Sequence, residues 1–192
     1  MARTWCASDT HFLHKHVASL RGYTTAAEHD EAIISRWNKL VRPDDFAWLL
    51  GDVGVGNETS ILRLASRLNG RLQLVTGNHD KPWAGHRKGR SRQRRWLEVF
   101  ETVQPFARAT IAGREVLLSH FPYQGDHTPS DRGTQYRLRN EGPWLLHGHT
   151  HDAARISGPR QIHVGLDAWD LAPASETAIA ALMDRVTPAA HA

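Results

Sequence analysis

Residues 46–54, Phe-Ala-Trp-Leu-Leu-Gly-Asp-Val-Gly, run from an apolar stretch directly into a glycine-flanked carboxylate. Phe46 to Leu50 reads as a short buried strand, and Gly51 lets the backbone turn sharply where Asp52 emerges. The same arrangement recurs along the 192-residue chain. A strand at Thr4 to Ser8 leads into Asp9-Thr10-His11, and Leu72 to Thr76 leads into Gly77-Asn78-His79-Asp80. Glu115 to Ser119 leads into His120, and Trp144 to His147 into Gly148-His149-Thr150-His151. In open α/β sheets ligands collect beyond the carboxyl ends of the strands, so polar residues placed there from five strands are expected to converge on one site.

Helical patterns separate these strands. Thr25 and Glu28 form a capping box for a helix from Ala26 to Val41, with Ile33, Ile34, Trp37 and Leu40 on one face and Pro43-Asp44 beyond its end. Asn57 caps a second helix, whose Ile61, Leu62, Leu64, Ala65 and Leu68 point inward until Gly70 stops it. Val103 to Pro105 reads as a strand, and Thr110 to Ala112 pairs with Glu115 to Ser119 in a hairpin across Gly113-Arg114. Gln161 to Gly165 is a further strand, Ser175 to Val186 a closing helix, and Thr187 to Ala192 a frayed tail. Early βαβ units followed by a strand-rich half define an α/β chain, and its length suits one domain over residues 1–192.

Composition narrows the classes further. With 40% hydrophobic residues and no apolar run near the 18 or so needed for a membrane helix, the chain reads as soluble and without a membrane partner. The first residues lack the charged head and apolar stretch of a secretory leader, and the lone Cys6, expected in a buried strand, cannot form an internal disulfide. A cytoplasmic location is the simplest expectation. A net charge of +4 suits an anionic substrate but names no nucleic-acid partner.

The chain also carries 13 histidines, and His, Asp and Asn are the donors that suit manganese, iron, zinc and related divalent ions. Any one of the five segments alone reads as a turn, a helix cap or an ordinary histidine. Five in one short chain do not. The ordered series Asp-x-His, Gly-Asp, Gly-Asn-His-Asp, His and Gly-His-x-His resembles the calcineurin-like metallophosphoesterase superfamily from about Arg3 to Pro173. Ser8-Asp9-Thr10-His11-Phe12 and Val164-Gly165-Leu166-Asp167-Ala168-Trp169 resemble its small stand-alone phage and bacterial members.

The resemblance implies two stacked mixed sheets flanked by helices, a four-layer αββα sandwich. It implies two divalent transition-metal ions, manganese first, with iron, nickel, cobalt and zinc as alternatives. Asp9, His11 and His151 would hold one ion and Asn78, His120 and His149 the other, with Asp52 bridging both. Two ions about 4 Å apart can share a hydroxide and stabilise both the attacking and departing oxygens at phosphorus. His79 is implied as the acid that protonates or steadies the leaving oxygen; Asp80 either orients its ring or is a simple turn residue. The expected activity is hydrolysis of a phosphodiester of a nucleotide or nucleic acid, with a phosphomonoester as the near alternative. Retention of His79 argues against a non-catalytic interaction module or a metal store.

Weaker signals surround this series. Arg87 to Arg95 packs six cations into nine residues and reads as a solvated loop, with substrate steering as the alternative. Arg132, Arg137 and Arg139 either clamp phosphate or decorate the rim. Phe12, His14, Phe121, Tyr123 and Trp169 read as core rather than as a stacking surface, and His147 as packing against the sheet. Asp167 and Asp170 read as turn and cap residues.

Overall fold

A computed structural model describes residues 2–186. The expected tail at 187–192 lies outside them. Two five-stranded mixed sheets stack against each other. The first takes β1 (Thr4–Ala7), β2 (Phe46–Leu49), β3 (Arg71–Val75) and β4 (Thr102–Gln104) in parallel order, with β10 (Ala174–Ser175) antiparallel beside β1. The second runs β5 (Phe106–Ile111), β6 (Arg114–Ser119), β7 (Trp144–His147), β9 (Gln161–His163), β8 (Ile156–Gly158), with parallel pairing only at β6–β7 and β7–β9.

Period-two alternation sorts the first sheet's side chains between two cores. Trp5, Ala7, Leu49, Leu72 and Leu74 pack against Ile33, Ile34 and Trp37 of α2 (Ala26–Leu40) and against Ile61, Leu62 and Ala65 of α3 (Glu58–Ala65). Cys6 and Val75 face the other way and meet Val116, Leu118, Leu146 and Ile162 of the second sheet. Ile179 and Met183 of α5 (Glu176–Arg185) close that second core, and Cys6 is fully buried as expected. No helix of the described residues is long and apolar enough to cross a membrane.

The Thr25–Glu28 capping box and the Asn57 cap are both present. Several boundaries differ from the sequence reading. Leu40 is 41% exposed rather than inward, and Val41, the next residue, fills that place in the core instead. The α3 helix ends at Ala65, and Leu68 reaches the core from the turn that follows. The hairpin turn falls on Ala112-Gly113, both at positive φ, the geometry that matches the twist of a tight hairpin, so β5 reaches back to Phe106. The cations of the basic stretch are solvated as expected, but most of it is a helix, α4 (Gly89–Trp96), rather than a loop. Buried Trp96 anchors it by donating to Glu58 at 2.9 Å, and Arg92 and Arg95 pair with the same carboxylate. A short helix α1 (Lys15–Leu20) and strands β8 and β10 complete the elements that the sequence did not indicate.

Candidate metal centre

The carboxyl ends of β1, β2 and β3 in one sheet and of β6 and β7 in the other open on the same place. An isolated parallel bridge between Ser8 and Gly165 joins the two sheets beside it. All seven candidate ligands are brought together there. His11 Nε2 lies 3.2 Å from His151 Nε2, 3.6 Å from Asp9 Oδ1 and 3.8 Å from Asp52 Oδ2. His120 Nε2 lies 3.2 Å from both Asn78 Oδ1 and His149 Nδ1, and 3.5 Å from Asp52 Oδ2. Atoms each about 2.1 Å from a common ion stand roughly 3–3.5 Å apart, so both groups have the spacing of a coordination shell. Asp52 belongs to each.

The backbone is forced to make this arrangement. Asp9, His11, Asp52, His149 and His151 all have φ between +48° and +73°, a region that costs a non-glycine residue of order 1 kcal/mol or more. Gly148 shows why its neighbours fit: a Cβ there would stand 2.6 Å from the Ser8 Cβ and closer still to the Asp9 carboxylate. Asp9 Oδ2 is thus free to accept the His149 amide at 3.0 Å, while Asp9 Oδ1 is buried with no hydrogen-bond partner.

The electrostatics ask for a cation. Burial raises the carboxyls of Asp9 and Asp52, but the surrounding histidines outweigh it and hold both well below the usual range. Burial lowers His11, and burial with the neighbouring His120 lowers His149 to about 4, so both favour the neutral, metal-ligating form. Burial also opposes charge on His120, yet the Asp52 and Asp9 carboxylates raise it to about 9. Burial of His151 is likewise outweighed, by the Asp167 and Asp9 carboxylates, which raise it. The buried Asp9 and Asp52 carboxylates therefore draw positive charge into the site, a charge that a divalent ion in each shell would supply. The residues fit two ions.

The sequence comparison agrees with this geometry. A family model described as the calcineurin-like phosphoesterase superfamily domain matches residues 3–165. The chain belongs to that superfamily. The Gene 66 proteins of Mycobacterium phage L5 and phage D29 are each 42% identical to it, the first over 88% of both chains and the second over 92% of this chain and 94% of its own. A solved structure from Aquifex aeolicus, a protein of unknown function, matches 95% of this chain and 100% of that one with 25% identity and a TM-score of 0.71.

Around the ligands of this phosphoesterase domain, the supporting residues differ from the sequence reading. His79 is 43% exposed at the mouth of the site, with Nε2 3.8 Å from Asp52 Oδ2, and its amide donates to Asp52 Oδ1 at 2.9 Å. Asp80 does not orient that ring. Its buried carboxylate accepts the backbone amides of Asp52, Val53 and Gly77 at 2.8–3.0 Å, stapling the β2 and β3 turns together. Burial and the nearby Asp52 charge push Asp80 up to about 7 against those three bonds. Asp167 is more than a turn residue: it takes a two-pronged pair from Arg21 at 2.8 Å and the Nδ1 of His151 at 2.9 Å. A carboxylate on the far nitrogen of a ligating histidine fixes its tautomer and orientation. Arg21 also donates to the Asp9 carbonyl, tying two ligand segments to one guanidinium.

The three arginines of the polar segment do not act alike. Arg137 is spent on the Gly125 and Arg132 carbonyls and the Asp131 carboxylate, and Arg139 is exposed beside Glu141. Neither lines the site, so for these two the clamp reading gives way to loop support and surface. Arg132 lies nearer, bonded to Asp126 and His127. Asp126, His127 and His149 also place donor atoms within 4.8 Å of one another, but the Arg132 guanidinium sits 2.8 Å from His127 and already supplies the positive charge. Phe12, Phe121, Tyr123 and Trp169 are buried as expected, and His147 is fixed by the Gly148 carbonyl and Ser157 inside the sheet. His14 and His16 instead line the cavity, alongside His127 from the opposite wall.

Proposed function

We propose that this protein is a metal-dependent phosphoesterase whose substrate is a phosphodiester of a nucleotide or nucleic acid. One observation carries the reading: seven donors form two shells sharing Asp52, with an unliganded histidine, His79, beside them. Two divalent ions held there, manganese being the first expected, would supply a water-derived nucleophile at neutral pH and positive charge for the phosphoryl oxygens. The chain's own residues do the rest. Asp80 and the His79 amide lock the turn that carries Asn78 and His79, which places the imidazole at the cavity wall. Nε2 of that ring donates to the departing oxygen, which needs help in proportion to its basicity.

A diester is favoured over a monoester by the cations at hand. The cavity beside the ligands has a volume of about 610 Å³, and Arg21, its one arginine, is committed to Asp167. Beyond the ions, a doubly charged terminal phosphate finds no uncommitted guanidinium in that cavity, whereas a diester needs room for a second substituent, which the cavity has. Purified protein reconstituted with manganese should hydrolyse bis(4-nitrophenyl) phosphate and nucleotide diesters faster than 4-nitrophenyl phosphate. Preference for the monoester would reverse the choice, and no hydrolysis of any of them would remove the reading.

A further inference from the structure

Beside the metal centre lies a second, smaller recess of about 160 Å³, lined by Asn78, Trp83, Phe121, Arg132, Gly133 and His149. Two of these, Asn78 and His149, are candidate ligands, so the recess shares a wall with the place a phosphate would occupy. Its other walls are Trp83, Phe121, Arg132 and Gly133, with Tyr136 packed against Trp83 from outside the lining. Trp83 stands with ring centroids 4.7 Å from Tyr136 and 6.0 Å from Phe121, and Phe121 and Tyr136 lie nearly parallel at 24°. Both Trp83 and Tyr136 retain exposed surface while Phe121 is buried beneath them. Aromatic surface thus stays open to solvent beside two candidate ligands, where a partner can reach it.

The recess is also built rather than incidental. Successive turn bonds, Asp80 amide to Gly77, Trp83 amide to Asp80 and His86 amide to Trp83, tie the indole to the segment that holds Asn78. Gly85 lies so close under the six-membered ring that a Cβ there would overlap it, which fixes the plane of the indole. On the opposite side, Asp126 accepts the Arg132 and Thr128 amides, and the side chain of Arg137, only 6% exposed, braces the same segment through Gly125 and Arg132. Rigid aromatic faces with a planar guanidinium at the rim are what stacks a flat heterocycle. The volume is small beside the several hundred Å³ that enclose a whole drug-sized ligand, and suits a single ring system.

We infer that the Trp83–Phe121–Arg132 recess is a nucleobase subsite, taking the base of a nucleoside whose phosphate lies at the metal centre; this rests on the phosphoesterase reading above. Stacking on an aromatic side chain is sequence-tolerant, so the subsite selects nucleotides over simple alkyl esters more than one base over another.

Two esters with the same leaving group isolate the effect: thymidine 5′-(4-nitrophenyl phosphate) and methyl 4-nitrophenyl phosphate, compared by kcat/KM on the manganese-loaded protein. The nucleoside ester should be preferred, and Trp83→Ala should shrink that preference by about 5- to 100-fold, the size of one lost stacking contact, with Trp83→Phe restoring most of it. Calorimetric binding of thymidine 5′-monophosphate against methyl phosphate, on the same metal-loaded proteins, reads the subsite without turnover. Metal content equal to wild type shows that the variants are folded. An unchanged nucleoside-to-methyl ratio in Trp83→Ala, or no nucleoside preference by either readout, overturns the subsite. Tight, Trp83-dependent binding of the nucleotide with no hydrolysis of either ester would leave the subsite standing and remove the phosphoesterase reading instead.

Discussion

Asp52 alone stands within 4 Å of ligand atoms from both shells, at 3.8 Å from His11 and 3.5 Å from His120. Its charge would offset the mutual repulsion of the two proposed ions, so Asp52→Asn should abolish turnover more completely than His11→Ala or Asn78→Ala, as compared in a manganese-loaded assay. Near-normal turnover in Asp52→Asn would refute the bridging role. In the proposed mechanism His79 would meet the leaving group without holding metal. His79→Ala should keep its ions and slow hydrolysis of a nucleoside diester by about 10²–10⁴-fold, with a smaller loss on a 4-nitrophenyl ester that departs unprotonated. Metal lost together with activity would place His79 among the ligands. Asp80 makes a different prediction, one about stability. Removing its carboxylate in Asp80→Ala leaves three amides without their acceptor, at about 1–3 kcal/mol for each that water cannot reach, and urea unfolding should show a lowered midpoint. A midpoint within error of wild type would mean that those turns do not depend on it. The seven candidate ligands were legible in the sequence because they follow five apolar strands. The roles of Asp80 and Asp167 were not, since Asp80 bonds to amides 27 and 28 residues away and Asp167 to an arginine 146 residues away.

At the scale of elements, the strands and the two capped helices announced themselves through periodicity and end signals. Thr25 illustrates how local that information is: its hydroxyl accepts the Glu28 amide while the Glu28 carboxylate accepts the Thr25 amide. Thr25→Ala should cost about 1 kcal/mol in denaturant unfolding and leave activity untouched, because α2 packs on the sheet face away from the ligands. A cost near zero would mean that α2 is held by burial of Ile33, Ile34 and Trp37 alone. What stayed hidden were elements too short or too charged for a pattern. Strands β8 and β10 have three and two residues, and α1 has six with histidine as its N-cap. In α4 the arginines masked a helix whose anchors, Trp96 and Glu58, lie 38 residues apart. The aromatic recess was missed for a similar reason: Phe121, which follows β6, reads as core, while Trp83 and Tyr136, 38 and 15 residues away in the chain, lie near no strand pattern.

For the molecule as a whole, the two sheets are the means of bringing distant ligands together. The first contributes Asp9, His11, Asp52 and Asn78, the second His120, His149 and His151, and the Ser8–Gly165 bridge fixes one against the other. Such a site gathers buried carboxylates and strained backbone that a folding chain would otherwise avoid, and bound cations would be their compensation. The central claim is therefore that catalysis follows metal occupancy. Protein stripped with a chelator and titrated with manganese, with bound metal and hydrolysis of bis(4-nitrophenyl) phosphate read on the same samples, tests it directly. The account predicts no turnover in the stripped protein, and activity that appears with added metal and saturates when two ions are bound per chain. Binding that stays near zero, or two bound ions with no hydrolysis under manganese, iron, nickel, cobalt or zinc, would contradict it.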